Sequence, residues 1–300
     1  MSLIPTLPDH EHIDAREHLA ARRSLWVSVA LNLVLTVVQA VVGLFAGSQA
    51  LVADAMHSLS DLLADFVAML AGHHSRKEAD DDHHYGHHRY ETAASLILGV
   101  LLLAAGAGML WTAANKFAGN SPLTSVHPVA LVVAVITLVS KEGLFRYMLA
   151  IAEKVRSSML VANAWHARAD AASSLVVALG IGGNLLGYPW LDPVAALLVG
   201  FMIGKTGWEF AWEALGDLMD RAADEDSVSG IRKVVLETPG VLGLHDLRTR
   251  RMGDMILVDV HLELDAELTV RQGHDIAVEA RQRVMAAYPV LDVMTHVDPV

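Results

Sequence analysis

The chain contains no cysteine, and this absence excludes several kinds of chemistry. Without thiols there are no disulfide bonds, no thiolate metal ligands, no iron–sulfur clusters and no cysteine nucleophiles. Charged residues are scarce as well, at 19% of the 300 residues, whereas a typical soluble domain has about 25%. The 22 Lys and Arg are outnumbered by 34 Asp and Glu, which gives a formal net charge of −12. We therefore expect no nucleic-acid partner, because binding to phosphates needs an excess of basic residues.

Two kinds of residue are abundant instead. Hydrophobic residues make up 53% of the chain, with a mean hydropathy of +0.40, and there are 16 histidines. An apolar, acidic and histidine-rich chain without cysteine is typical of a membrane protein that handles a borderline metal through nitrogen and oxygen ligands.

The apolar residues fall into six long runs, each near the roughly 20 residues that a helix needs to cross a bilayer. The runs cover residues 24–46, 50–72, 92–116, 126–149, 155–182 and 188–213. The first, third and fourth are almost purely apolar, and the other three carry polar residues. A soluble helical bundle is the alternative, but it would show charged stripes at helical spacing, and Leu96–Leu110 has no charge.

The composition changes near residue 220 and predicts a small α+β domain. Its predicted elements are a helix in Arg221–Glu237, strands at Leu242–Arg250 and Met255–Leu264 joined by a Gly253-Asp254 hairpin, a helix at Val270–Ala287 and a strand at Leu291–His296. The fold class is thus an α-helical membrane protein with six transmembrane helices and a C-terminal cytoplasmic α+β domain. We expect a polar N-terminal segment at 1–23, which lacks a signal-peptide pattern, a membrane domain at 24–213 and the α+β domain at 214–300.

Basic residues in short loops predict the orientation in the membrane. They precede the first run and lie around the second-to-third and fourth-to-fifth connections, at Arg16, Arg22, Arg23, Arg76, Lys77, Arg89, Lys141, Arg146, Lys154 and Arg156. The opposite loops hold only Lys116. Both termini are therefore predicted to face the cytoplasm, in agreement with an even number of helices.

Two of the predicted membrane helices each carry a histidine and an aspartate four residues apart, at His57/Asp61 and at His166/Asp170. This spacing puts both side chains on one helix face. Two such faces opposed would form an N₂O₂ shell, which suits tetrahedral Zn²⁺. A charged group at bilayer depth costs roughly 2.5–3.5 kcal/mol even on lenient scales and needs a partner. The alternative is a pair of His–Asp hydrogen bonds that hold helices together, and Asp54 is either a helix cap or a further ligand.

Two more groups of metal-binding residue types lie outside the apolar runs. The loop after the second run contains Asp80, His83 and His87, spaced for a turn that leads into a helix. The alternative is a solvated acidic, histidine-rich loop that binds metal loosely. In the α+β domain the candidates are His245, His261, His274, His296 and Asp298. Spacing alone is a weak signal here and favours the alternative of ordinary surface histidines.

These motifs together resemble the cation diffusion facilitator family, over about residues 20–298. The resemblance rests on the paired His/Asp motifs, on the loop from Asp80 to His87 followed by Glu91, and on the segments around His245, His261 and His296. It implies a homodimer in a bacterial inner membrane, a transport site at His57, Asp61, His166 and Asp170, a loop site, and a binuclear site in the cytoplasmic domain. It also implies a salt bridge between Arg89 and Asp220, where the family usually has Lys in place of Arg89.

The resemblance predicts a secondary transporter rather than an enzyme, namely proton-coupled export of Zn²⁺, with Zn²⁺ also as a regulatory ligand. Some bacterial relatives carry Asp in place of His57, and two imidazoles favour Zn²⁺ over harder ions. Export of Cd²⁺, Fe²⁺, Co²⁺ or Mn²⁺ and a passive metal channel are the alternatives. An intramembrane metallohydrolase would need a motif such as H-E-x-x-H, which the sequence lacks.

Overall fold

The computed structural model describes residues 10–75, 77–119, 125–154 and 158–300, with side chains from residue 24 onward except at 25, 68, 72–73 and 158–159. Residues 1–9 of the predicted N-terminal segment lie outside the described residues, as do Arg76 and Arg156. Over these ranges the membrane part consists of six long helices. They are α1 (His10–Ala46), α2 (Gln49–Ser75), α3 (Arg89–Phe117), α4 (Val129–Lys154), α5 (Ser158–Leu185) and α6 (Leu191–Leu218).

Apolar composition alone identifies half of these helices as membrane spans. Among the described residues, the segments that are long and apolar enough are Trp26–Ala46, Arg89–Phe117 and Leu191–Leu218. The first and third runs, which the sequence singled out as almost purely apolar, are among these segments. The fourth is not, because Lys141, Glu142 and Arg146 lie within α4, whereas the sixth qualifies despite the polar residues that it carries. The sequence prediction placed Lys141 and Arg146 in a loop, and this was wrong: both lie inside α4, and Lys141 is 2% exposed.

The chain divides into two compact units, and the first comprises Met1–Ala64 with Leu101–Gly207. In this unit α4 packs against both α1 and α5. A cluster of Leu144, Phe145 and Met148 with Ala164 and Ala167 fills the space between α4 and α5. The backbones of α3 and α6 approach closely at glycines: a Cβ atom on Gly106 would lie 2.7 Å from the amide nitrogen of Gly204.

The second unit comprises Asp65–Val100 and Trp208–Val300 and contains the predicted α+β domain. Its elements are α7 (Glu225–Leu236), β1 (Gly243–Met252), β2 (Met255–Leu264), α8 (Val270–Ala287) and β3 (Val290–Pro299). Over the described residues these strands form a sheet of order β1-β2-β3, antiparallel between β1 and β2 and parallel between β2 and β3. The predicted order of elements is confirmed, with β3 longer at both ends.

Alternation along β2 separates a core face from a polar face. Ile256, Val258, Val260, Leu262 and Leu264 are buried and pack with residues of α7, α8 and β3. Successive side chains of a strand point to opposite faces of the sheet. His261 and Glu263 therefore lie on the face opposite the helices, where a polar site does not disturb the core.

Candidate metal centres

The structure brings together three of the four residues that the sequence predicted for the intramembrane site. The ligand atoms of His57, Asp61 and Asp170 lie within 4.8 Å of one another. Nδ1 of His57 is 3.9 Å from Oδ2 of Asp61, and Nε2 is 4.0 Å from Oδ1 of Asp170. The three side chains are 12%, 29% and 14% exposed. These gaps are too long for hydrogen bonds and suit a cation held between an imidazole and two carboxylates.

The fourth predicted ligand, His166, lies outside this group, and its side chain is exposed. It precedes Asp170 by one turn of α5 and interacts electrostatically with both His57 and Asp170. Asp54, left open by the sequence, does not belong to the group.

The structure also brings together Asp80, His83 and His87, the residues that the sequence predicted for the loop site. Oδ1 of Asp80 lies 3.3 Å from Nδ1 of His83, and Oδ2 lies 3.4 Å from Nε2 of His87. His87 is 8% exposed, and its Nδ1 has no hydrogen-bond partner among the described residues. One carboxylate thus faces two imidazoles, an arrangement that can bind a divalent cation.

A tight turn prepares Asp80 for this role. Its carboxylate accepts hydrogen bonds from the backbone amides of His83 at 2.8 Å and Asp82 at 3.1 Å. Desolvation raises the pKa of Asp80, but these amide hydrogen bonds together with the His83 and His87 imidazoles outweigh it, so the pKa lies below its ordinary value. Asp80 is therefore ionised, as a metal ligand must be.

Arg89, the first residue of α3, anchors the end of this loop. Its guanidinium pairs with Asp220 at 2.5 Å and donates to the Leu218 carbonyl at 3.3 Å. Its Nε lies 3.3 Å from the sulfur of Met252. The ion pair implied by the family resemblance is thus formed within the chain, with Arg in place of Lys.

Strand register explains how distant histidines converge in the α+β domain. His245 on β1 is the direct partner of His261 on β2, which in turn is the partner of His296 on β3. The ring centroids are 5.0 Å apart for the first pair and 4.6 Å for the second. The three imidazoles therefore form a row across the polar face of the sheet.

Asp298 joins the row. Its Oδ2 lies 2.9 Å from His261 and 3.3 Å from His245, and its Oδ1 lies 3.3 Å from His296. A carboxylate with its two oxygens divided in this way suits a bridge between two cations. His274, the remaining predicted ligand, lies on α8, is exposed and joins no such group among the described residues.

The sequence prediction missed two acidic neighbours of this row. Asp246 forms a group with His245 and His261, and Glu263 lies 3.1 Å from Nδ1 of His245. Asp246 has a left-handed backbone, with φ of 47°, at a bulge where the register shifts between His245 and Arg248. Alternation would have put Asp246 on the other face, and only the bulge returns it to the row.

Two family models match the chain. A cation efflux transmembrane domain matches residues 25–219, and the cytoplasmic domain of cation efflux proteins matches residues 223–300. The match to the first model covers more than half of the chain and includes the His57, Asp170 and loop residues. The second includes the whole row of histidines.

Several known proteins are similar to this chain over nearly its whole length. Metal tolerance protein 2 of Oryza sativa is 34% identical over 304 residues, covering 93% of this chain and 78% of the relative. The cation-efflux pump FieF of Shewanella oneidensis is 30% identical, covering 91% and 92%. The manganese efflux system protein MneP of Bacillus subtilis is 30% identical, covering 95% and 97%. With this fold and these ligand clusters, the chain belongs to the cation diffusion facilitator family and is a multi-pass membrane transporter for the efflux of divalent metal cations.

Proposed function

We propose that the protein exports Zn²⁺ from the cytoplasm in exchange for protons. The convergence of His57, Asp61 and Asp170 inside the membrane domain supports this proposal most directly. His166 completes the transport site when the cation is bound. The two carboxylates neutralise the charge of the dication, so the loaded site carries no net charge in a medium that penalises charge.

Competition between metal and protons couples the two fluxes. A histidine must be neutral and an aspartate ionised to bind metal, so the metal ion and protons compete for the same nitrogen and oxygen atoms. In the inward-open state the cation displaces protons, and in the outward-open state protons return and release the cation. Movement of α2 and α5 relative to the other helices alternates access, and an inward proton gradient drives export.

The donor set favours Zn²⁺ over other divalent cations. Two imidazoles and two carboxylates suit a borderline ion in tetrahedral geometry, whereas an all-oxygen shell suits harder ions. The relative MneP is named for manganese, and Mn²⁺, Fe²⁺, Co²⁺ or Cd²⁺ export is the alternative for this chain. A passive channel is the second alternative.

The remaining two clusters serve capture and regulation in this proposal. The acidic loop concentrates cations near the cytoplasmic entrance, and Asp80 with its two histidines binds them transiently. The chain forms a homodimer in a bacterial inner membrane with both termini in the cytoplasm. Zn²⁺ on the His245–His261–His296 row pulls the two cytoplasmic domains together and biases the membrane domain, which is a population shift that requires different affinities in the two states.

The test is metal uptake by the full-length protein in proteoliposomes, with Zn²⁺, Cd²⁺, Mn²⁺ and Fe²⁺ in turn and with a pH gradient of either sign. We expect Zn²⁺ uptake into the lumen to be faster when the proton gradient drives protons out of it. The luminal pH should rise as the protons leave. Asp170→Ala should abolish Zn²⁺ uptake, and Glu153→Gln, an exposed acidic residue of α4, should not. Flux that ignores the pH gradient would establish a channel, and normal flux in Asp170→Ala would reject the site.

A further inference from the structure

A second group of polar side chains lies buried in the membrane domain and is not used by the proposed mechanism. We call it the polar clamp. Its members come from α1, α2, α4 and α5, and none is more than 4% exposed. They are Gln39, Asp54, Ser58, Lys141, Ser173 and Ser174.

Asp54 is the centre of the polar clamp. Its Oδ2 accepts hydrogen bonds from the Gln39 amide and, at 2.8 Å, from the Ser174 hydroxyl. Its Oδ1 lies 3.3 Å from the Ser173 hydroxyl and 3.7 Å from Nζ of Lys141. Both oxygens are therefore occupied by protein groups. This accounts for the absence of Asp54 from the metal-binding group, although it lies only one turn from His57.

Lys141 supplies the positive charge of the polar clamp. Its side chain is 2% exposed, and besides Asp54 its Nζ contacts the hydroxyl of Ser58 at 3.0 Å. A buried ammonium group is costly unless it is paired and hydrogen-bonded. Lys141 has both kinds of partner, although a cation in the nearby metal site would repel it. The ion pair therefore has a role that an apolar residue at this position would not fill.

The polar clamp contacts the turns of α2 and α5 that adjoin the metal ligands. Asp54 precedes His57 by three residues on α2, and Ser173 follows Asp170 by three residues on α5 and also donates to the Asp170 carbonyl at 2.8 Å. Residues three apart share a helix face. We propose that Lys141 and Asp54 are positioning residues. The Asp54 carboxylate, paired with Lys141 of α4, accepts hydrogen bonds from Ser173 and Ser174 of α5. It thereby holds α2 against α5 so that His57 and Asp170 face each other across the distance that one cation spans. This rests on the proposed transport function.

The experiment is a double-mutant cycle on the full-length protein in proteoliposomes, with Zn²⁺ uptake as the readout. The variants are Lys141→Met, Asp54→Asn and the two combined. Loss of a group that orients metal ligands typically weakens metal binding about 10–100-fold. We expect each single variant to raise the KM for Zn²⁺ by that factor with a much smaller change in kcat. The combined variant should be no worse than the poorer single one, because the two residues act as a unit.

Thr137→Val is the matched control. Thr137 lies one turn before Lys141 on α4, is fully buried, and its hydroxyl has no hydrogen-bond partner among the described residues. It should leave the KM unchanged. If the single variants lower thermal stability but leave the KM within twofold of the wild type, or if their effects on the KM multiply in the combined variant, the positioning role is wrong. Failure of the proposed function itself looks different, since Asp170→Ala would then still transport.

Discussion

At the scale of single residues, Asp80 shows how a backbone turn prepares a ligand before any metal arrives. Folding lowers its pKa, so the turn is stabilised at pH values above the ordinary value of about 3.8 and loses that stabilisation as the pH falls through the lower folded value. The carboxylate is consequently ionised throughout the range from pH 5 to 8.

We predict that Asp80→Asn weakens Zn²⁺ binding to the loop throughout the range from pH 5 to 8. Asparagine can preserve the turn, because its carbonyl oxygen accepts the same amide hydrogen bonds, but it removes the charge. The measurement is calorimetric titration between pH 5 and 8 in a background that carries Asp170→Ala and His261→Ala. Equal Zn²⁺ affinity with and without Asp80→Asn would exclude Asp80 as a ligand of the loop site.

A second prediction at this scale concerns Asp298, which contacts all three histidines of the row. Asp298→Asn should reduce the zinc content of the cytoplasmic domain, because it removes the shared anionic ligand. Asp292→Asn, on the same strand but paired with Arg281, is the control and should bind zinc normally. Elemental analysis of the purified dimer measures both. Equal zinc content in the two variants would exclude the bridging role.

At the scale of secondary structure, local pattern predicted most of the α+β domain. The alternation along β2 and the turn residues Gly253 and Asp254 are both signals that a single sequence carries, and Gly253 adopts a positive φ of 64° as a tight hairpin requires. Helix α8 begins at a capping box in which Thr269 and Gln272 bond each other's backbone amides. The bounds of α8, Val270–Ala287, could therefore be predicted from the sequence.

The helix contacts of the membrane domain offer a prediction of their own. A Cβ on Gly106 of α3 would lie within 3 Å of the backbone of Gly200 and Gly204 on α6, so the helices would have to separate. Overpacking of this kind costs typically about 1–3 kcal/mol. Gly106→Ala should therefore lower the Tm in detergent, and Gly204→Ala should not, since its Cβ would meet open space. Equal Tm values for the two variants would contradict this helix packing.

The parts that the sequence did not predict depend on relations between elements. The row of histidines needs the strand register, and Asp246 joins it only through a bulge. His166 has the predicted spacing, but its side chain is exposed and does not join the group, which spacing cannot indicate. Lys141 was visible as a charge in an apolar run, yet its partner Asp54 lies 87 positions earlier in the chain, and no local pattern connects the two.

At the scale of the whole molecule, we propose that the membrane domain transports the metal and the cytoplasmic domain regulates transport. The double variant His245→Ala/His261→Ala should retain the transport site, so we expect Zn²⁺ uptake to continue with a higher KM. It should lose the metal-dependent compaction of the dimer, which small-angle scattering can follow with and without Zn²⁺. Unchanged compaction would reject the regulatory role, and complete loss of uptake would show that the row is part of the transport route.

His261 has a further consequence, because it belongs to both metal-binding groups of the row. A neutral imidazole has one free lone pair, so only one of two ions can bind His261. The second ion has fewer ligands and is repelled by the dication already bound. The two binding steps then occur at well-separated concentrations. Such a domain would bind one ion tightly at low metal concentration and a second ion weakly at high metal concentration. A titration would therefore show a biphasic curve instead of a single sharp threshold.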